Sequence, residues 1–150
     1  MKYDSKADTL EHIKKVNKYL LECSKELMHR ATIHDDSKLE EPEKGTFDKC
    51  TIKLKSIKYG TDEYKQALKE LGPALDHHYK NNSHHPEFYE NGINGMDLFD
   101  LMEMLMDWKA ATERMKDGGD IRRSLEVNRE RFKMSDQTYD LLKNTIDKMF

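Results

Sequence analysis

Asp97-Leu98-Phe99-Asp100-Leu101-Met102-Glu103-Met104-Leu105-Met106-Asp107-Trp108 is the stretch whose reading decides the fold. Leu98, Phe99, Leu101, Met102, Leu105, Met106 and Trp108 cover most of a helix circumference. Residues 96 to 116 are therefore expected to form a largely buried helix, ended by Asp117-Gly118-Gly119. Yet Asp100, Glu103, Asp107 and Arg114 recur at steps of three, four and seven, which puts them along one side. Such carboxylates are either the solvated stripe of an ordinary amphipathic helix or partners for something brought by other segments.

Working outward, residues 81 to 95 are rich in Asn, Gly, His and Pro and read as a loop, with His85 biased to extended backbone by Pro86. Before it, Thr61-Asp62-Glu63 supplies an N-cap after the Gly60 break, and Gly72-Pro73 predicts a kink or restart ahead of His77-His78. The lysine-rich stretch from 40 to 59 has only scattered apolar positions (Phe47, Ile52, Leu54, Ile57) and reads as a weak helix or a mobile cover. At the amino end, Leu10, Ile13, Val16, Leu20, Cys23 and Leu27 predict one amphipathic helix over residues 5 to 31, capped by Ser5 or Asp8. Two further helices are expected over 120 to 133 and 135 to 149, the latter capped by Ser135. No strand-like alternation and no internal repeat occurs, so the fold class is all-α.

Composition bounds what this helical chain can be. Its 150 residues fit one domain over residues 1 to 150, and 37% charged against 36% hydrophobic residues require amphipathic segments with wet polar faces. A formal net charge of -3, with both signs mixed throughout, offers no field for nonspecific nucleic-acid binding. The start, Met1-Lys2-Tyr3-Asp4, lacks a signal-peptide run and no apolar stretch is long enough to span a bilayer, so a cytoplasmic protein without a membrane partner is expected. Cys23 and Cys50 are expected to be free thiols.

The histidines are not scattered. Five of the seven lie in His34-Asp35-Asp36-Ser37-Lys38, His77-His78 and His84-His85. Imidazole and carboxylate together suit divalent transition metals, whereas an all-oxygen set suits calcium or magnesium. His34-Asp35 can serve one ion or, with a bridging carboxylate, two. One residue from each histidine pair can reach the same ion, but neighbours on a helix point about 100° apart, so the other orients a ligand or meets substrate. His12, one helix length before His34, is a further candidate, while His29 reads as an ordinary surface or hydrogen-bonded histidine.

In this order the residues resemble the HD-domain metal-dependent phosphohydrolases: His12, then His34-Asp35, then the distant Asp107. His34-Asp35-Asp36-Ser37-Lys38 with Pro42-Glu43 is similar to a segment of the cyclic-dinucleotide phosphodiesterases of that superfamily, and His84-His85-Pro86-Glu87-Phe88-Tyr89 with Asn91-Gly92 to their paired-histidine loop. Ser37 stands where that segment carries Gly, and the Gly-Tyr-Pro element is missing, which speaks against a cyclic dinucleotide. Over nearly the full chain the likeness is to a small, largely phage-encoded family of HD-like proteins of unknown function.

The resemblance implies an HD-like helical bundle that hydrolyses a nucleotide or related small phosphate ester with one or two Mn, Fe, Ni, Co or Zn ions. It implies one ion on His12, His34, Asp35 and Asp107 and a second on His78, His84 and His85, with Asp35 bridging. Lys38 is carried over as a phosphate contact, and His85 as a ligand or substrate contact. Arg114, two turns beyond Asp107, could grip phosphate or pair with Glu103, and Glu103 could be a general base or an orienting group. One of Arg122, Arg123, Arg129 and Arg131 could line the pocket, and a homodimer is left open. The rival readings are a noncatalytic metal or nucleotide binder with a regulatory or host-interaction role, and a helical interaction module with surface histidines.

Overall fold

The computed structural model describes residues 4–58, 61–114 and 119–150. The expected Tyr59-Gly60 break and the Asp117-Gly118 end signal lie outside the described residues. All regular structure among the described residues is helical, and no helix there is long and apolar enough to cross a membrane. The all-α class is thus as expected. Two compact units are formed, one ending at His34 and one running from Asp35 to Phe150.

The first unit holds α1 (Lys6–Ile33), a single continuous helix. Pairs one turn apart support it, Lys15 with Glu11 and Arg30 with Glu26, both at 2.8 Å. Ser5 occupies the N-cap position without a side-chain cap bond. The helix runs two residues past the expected end at Ala31, and Thr32 within this extension donates its hydroxyl to the His29 carbonyl at 2.7 Å.

The second unit opens on Asp35, whose φ of 61° and ψ of 15° are left-handed, and passes through a short 3-10 turn at Asp36–Leu39. Left-handed backbone costs a non-glycine residue, and Asp is among the few that tolerate it. Next come α2 (Lys44–Ser56) and α3 (Asp62–Asn81), which pack on each other. The lysine-rich stretch thus holds a helix over Lys44–Ser56. Thr61 caps α3 by accepting from the Tyr64 amide at 3.2 Å. Gly72, at φ 43° and ψ -122°, breaks the helical path immediately before Pro73, where the sequence predicts it.

A loop with two 3-10 turns, Pro86–Phe88 and Gly92–Gly95, leads to α4 (Leu98–Glu113). This helix starts later than expected because Asp97 caps it, accepting from the Phe99 and Asp100 amides while Asp100 accepts from the Asp97 amide. Asp120 and Ser135 cap α5 (Ile121–Phe132) and α6 (Asp136–Met149). Met104 and Leu105 of α4, Ile121 and Leu125 of α5, and Leu142 and Ile146 of α6 join in one buried cluster. Burying side chains of this size contributes roughly 1.5–3 kcal/mol each, and Ile93 from the loop before α4 joins the same cluster.

The acidic side of α4 is not a solvated stripe. Asp100 is only 1% exposed and the Glu103 side chain 14%. Asp100 accepts from Ser83 Oγ at 2.7 Å and from the Tyr89 hydroxyl at 2.5 Å, fastening both ends of the segment that carries His84 and His85 to the start of α4. Burial and this bond to Asp100 push the Tyr89 phenol up to about 12.

Candidate metal centre

Four side chains of the second unit bring one donor atom each into a single cluster: Asp35 before the first 3-10 turn, His78 near the end of α3, and His84 and His85 in the following loop. All four donors lie within 4.8 Å of one another. The His78 and His85 Nε2 atoms are 2.9 Å apart, Asp35 Oδ1 is 3.2 Å from His78 Nε2, and it is 3.5 Å from His84 Nε2. Ligands about 2.1 Å from a shared ion stand about 3.0–3.4 Å apart in octahedral or tetrahedral arrangement. The observed edges, 2.9, 3.2 and 3.5 Å, fall in or within about 0.1 Å of that range.

The far side of two of these rings is held by carboxylates. His78 Nδ1 lies 3.0 Å from Glu43 Oε2, and His84 Nδ1 lies 3.1 Å from Glu103 Oε1. A carboxylate at Nδ1 selects the tautomer that carries its proton there and leaves the Nε2 lone pair facing Asp35, the usual support of a metal-binding histidine. Glu43 has no exposure at all and also meets His77 Nδ1 at 2.7 Å while accepting from Ser37 Oγ at 3.1 Å. Asn82 completes this buried support by donating to Ser37 Oγ at 2.9 Å.

Charge in the cluster favours cation binding. Burial raises the Asp35 carboxyl, but hydrogen bonds from His78 and His84 and the Lys38 ammonium outweigh it and hold the group well below the usual carboxylate range. Burial, followed by the fields of His84 and His78, lowers His85 to about 3 against the opposing pull of Asp107. At neutral pH the set is therefore an ionised carboxylate with a neutral His85. Three imidazoles and a carboxylate suit zinc and the neighbouring transition ions far better than calcium or magnesium, so the residues fit the implied metal. Asp35 combines its ligand position with left-handed backbone, a local strain that the surrounding bonds sustain.

The other expected residues fall at different places. Asp107 brings an oxygen within 4.8 Å of an Asp35 oxygen. His34 caps the end of α1 as the last residue of the first unit, bonded directly to Asp35. His12 sits 22 residues before His34 along that helix. At 1.5 Å per residue this is about 33 Å. His12 therefore cannot share an ion with His34: the helix turns by no loop that would bring it back. Asp35 thus stands both beside His78, His84 and His85 and beside Asp107, the double contact that a bridging carboxylate requires.

Among the remaining expectations, His77 is the member of its pair that points away, half-exposed and tied to Glu43. Glu103 stands behind His84, in the place of an orienting group. Lys38 reaches Asp35 Oδ2 at 2.6 Å and passes over the Phe47 ring. Arg122 and Arg129 pair with Asp147 and Asp136, whereas Arg131 reaches a pocket beside the donors and pairs with Glu87 at 2.6 Å. That pocket has a volume of about 330 Å³ and is also lined by Lys38, His78, His85, Asp107 and Arg114.

Glu43, Ser37, Asn82 and Asp100 were not expected as parts of the site. Glu43 could have been suspected only from Pro42-Glu43 following the His-Asp string, since its partners lie 34 and 35 positions downstream. A model of the family described as a family of unknown function, DUF5662, matches residues 1–148, and the chain belongs to that family. No curated protein and no solved structure matches it.

Proposed function

We propose that this member of the DUF5662 family is an HD-type metal-dependent phosphohydrolase that acts on a nucleotide or related small phosphate ester. The observation that carries the reading is the cluster of Asp35, His78, His84 and His85, with two rings oriented by carboxylates, opening on a pocket that also presents Lys38 and Arg114. When bound there, a divalent transition ion would supply Lewis acidity towards phosphoryl oxygens and lower the pKa of water from about 16 towards about 7.

The protein's own groups divide the remaining work. Asp35 Oδ1 faces His78 and His84 while Oδ2 engages Lys38, so one carboxylate joins the donor set to a cation that lines the pocket. Lys38 and Arg114 balance the charge of a phosphate and orient it, Arg114 through its bidentate geometry. Asp107 lines the same pocket and carries an oxygen within 4.8 Å of an Asp35 oxygen. Glu43 and Glu103 keep protons on the far nitrogens of His78 and His84, so that their Nε2 atoms stay available.

The test is metal analysis of the purified chain combined with hydrolysis assays across nucleotides and simple phosphate esters in Mn, Fe, Co, Ni and Zn forms. Stoichiometric metal with turnover is expected, and Lys38→Ala should keep the metal while raising KM. Metal without turnover in every form would turn the reading towards a noncatalytic binder. Absence of stoichiometric metal would remove its basis.

A further inference from the structure

The pocket beside the donors has a consistent grain. On α3, His78 and Leu75 after the Gly72 break and Leu71, Leu68 and Tyr64 before it all line the pocket. Away from His78, a candidate metal donor, the α3 contribution to the wall is the aliphatic Leu75, Leu71 and Leu68. Trp108 and Phe132 line the pocket as well, with ring planes parallel to within 3° and centroids 6.2 Å apart. This stacked pair forms an aromatic part of the pocket wall, and planar rings gain by lying parallel and offset against aromatic groups.

The charge of one pocket cation is already answered. The Arg131 guanidinium lies 4.6 Å from the Phe132 ring centroid, pairs with Glu87 at 2.6 Å and donates to the Tyr79 hydroxyl at 3.2 Å. It therefore braces Phe132 instead of turning this wall into an anion site. The volume of about 330 Å³ is near the lower bound for pockets that enclose small organic ligands, about 300 Å³. A phosphate with a single ring system suits that space, and two joined nucleotides do not.

We propose that the pocket seats a flat, apolar ring carried by the phosphate compound, with Trp108 and Phe132 as the residues that set this specificity. The proposal rests on the phosphohydrolase reading for the identity of the anionic end. It predicts preference for aryl over small alkyl phosphates.

Trp108 is the only tryptophan in the chain, so its emission reports on this pocket alone. The test titrates the metal-loaded full-length protein with phenylphosphonate and with ethylphosphonate, whose carbon–phosphorus bonds resist hydrolysis. Phenylphosphonate should change the emission saturably with a Kd about tenfold lower, the scale of one aromatic contact plus burial of the ring. Phe132→Leu, which preserves the probe, should reduce that preference below about threefold, and Phe132→Tyr should restore it. Trp108→Leu, followed by calorimetry, should do the same as Phe132→Leu and covers the case in which that variant fails to fold.

Equal affinities in the parent protein, or a preference that survives both leucine variants, would overturn the seat. Hydrolysis tells the two readings apart. Equal kcat/KM for phenyl and ethyl phosphate would sink the ring seat and leave the hydrolase standing. Ring-selective binding without hydrolysis in any metal form would do the reverse.

Discussion

Replacing Glu43 with Gln probes the support of the metal centre without changing its shape. The carboxylate is fully buried and meets two Nδ1 atoms, those of His77 at 2.7 Å and His78 at 3.0 Å, and a hydroxyl. Gln has one acceptor oxygen and one amino group, so it can accept from only one imidazole and must present N–H to the other. If that other is His78, its proton moves to Nε2, onto the lone pair that faces Asp35. A hydrogen bond to a charged group contributes about 1.5–3 kcal/mol, and loss of such a supporting group typically weakens metal affinity by about 10–100-fold. The expected rise in Kd thus corresponds to about 1.4–2.8 kcal/mol.

The metal-free fold should lose less, because the same substitution removes the desolvation cost of burying a carboxylate. The assay is competition of the protein against a chelator of known affinity, together with melting curves with and without metal. The metal-induced stabilisation should shrink by the same free energy as the Kd changes, as binding linkage requires. A variant whose metal Kd stays within twofold of the parent would refute the assignment of Glu43 as the group that positions His78.

Asp35→Asn should retain the left-handed backbone, which Asn also tolerates, and lose stoichiometric metal, read by elemental analysis with circular dichroism as the check on folding. Metal at parental level in a folded variant would count against Asp35 as a ligand. His85, lowered to about 3 in the folded chain from the ordinary value of 6.5, leaves the folded state with fewer protons than the unfolded one between those limits. Stability from this group is therefore complete above about pH 6.5 and is lost as pH falls towards about 3, at up to about 1.4 kcal/mol per pH unit for one proton. Chelator-treated protein should show that slope by denaturant titration and His85→Gln should flatten it, whereas identical slopes would contradict the burial of a neutral ring. Asp100→Asn weakens bonds from Ser83, Tyr89 and the Asp97 amide, and at about 1 kcal/mol each the fold should lose about 2–3 kcal/mol. An unchanged melting temperature would show that Asp100 does not fasten the histidine loop.

Much of this molecule follows from short-range chemistry. Apolar spacing placed α1, α4, α5 and α6, and Gly72-Pro73 marked the break in α3, because helical periodicity, caps and glycine or proline act within a few residues. Ligand types were legible in the same way, since imidazole beside carboxylate is a property of the residues themselves. Which histidine of each pair faces the cluster depends on ring direction, and His77 differs from His78 only because successive helix positions diverge by about 100°. The acidic side of α4 looked like an ordinary wet stripe until packing showed Asp100 and Glu103 to be enclosed.

What the amino-acid order determined alone was an all-helical protein with a clustered supply of nitrogen and oxygen donors. What tertiary structure decided was the membership of the cluster: Asp35 beside His78, His84 and His85, Glu43 behind His78, and His12 held about 33 Å along a straight helix from His34. The reason is distance along the chain. Contacts between groups tens of residues apart depend on how helices pack, and no local pattern records that a glutamate at one position will meet an imidazole 35 residues later.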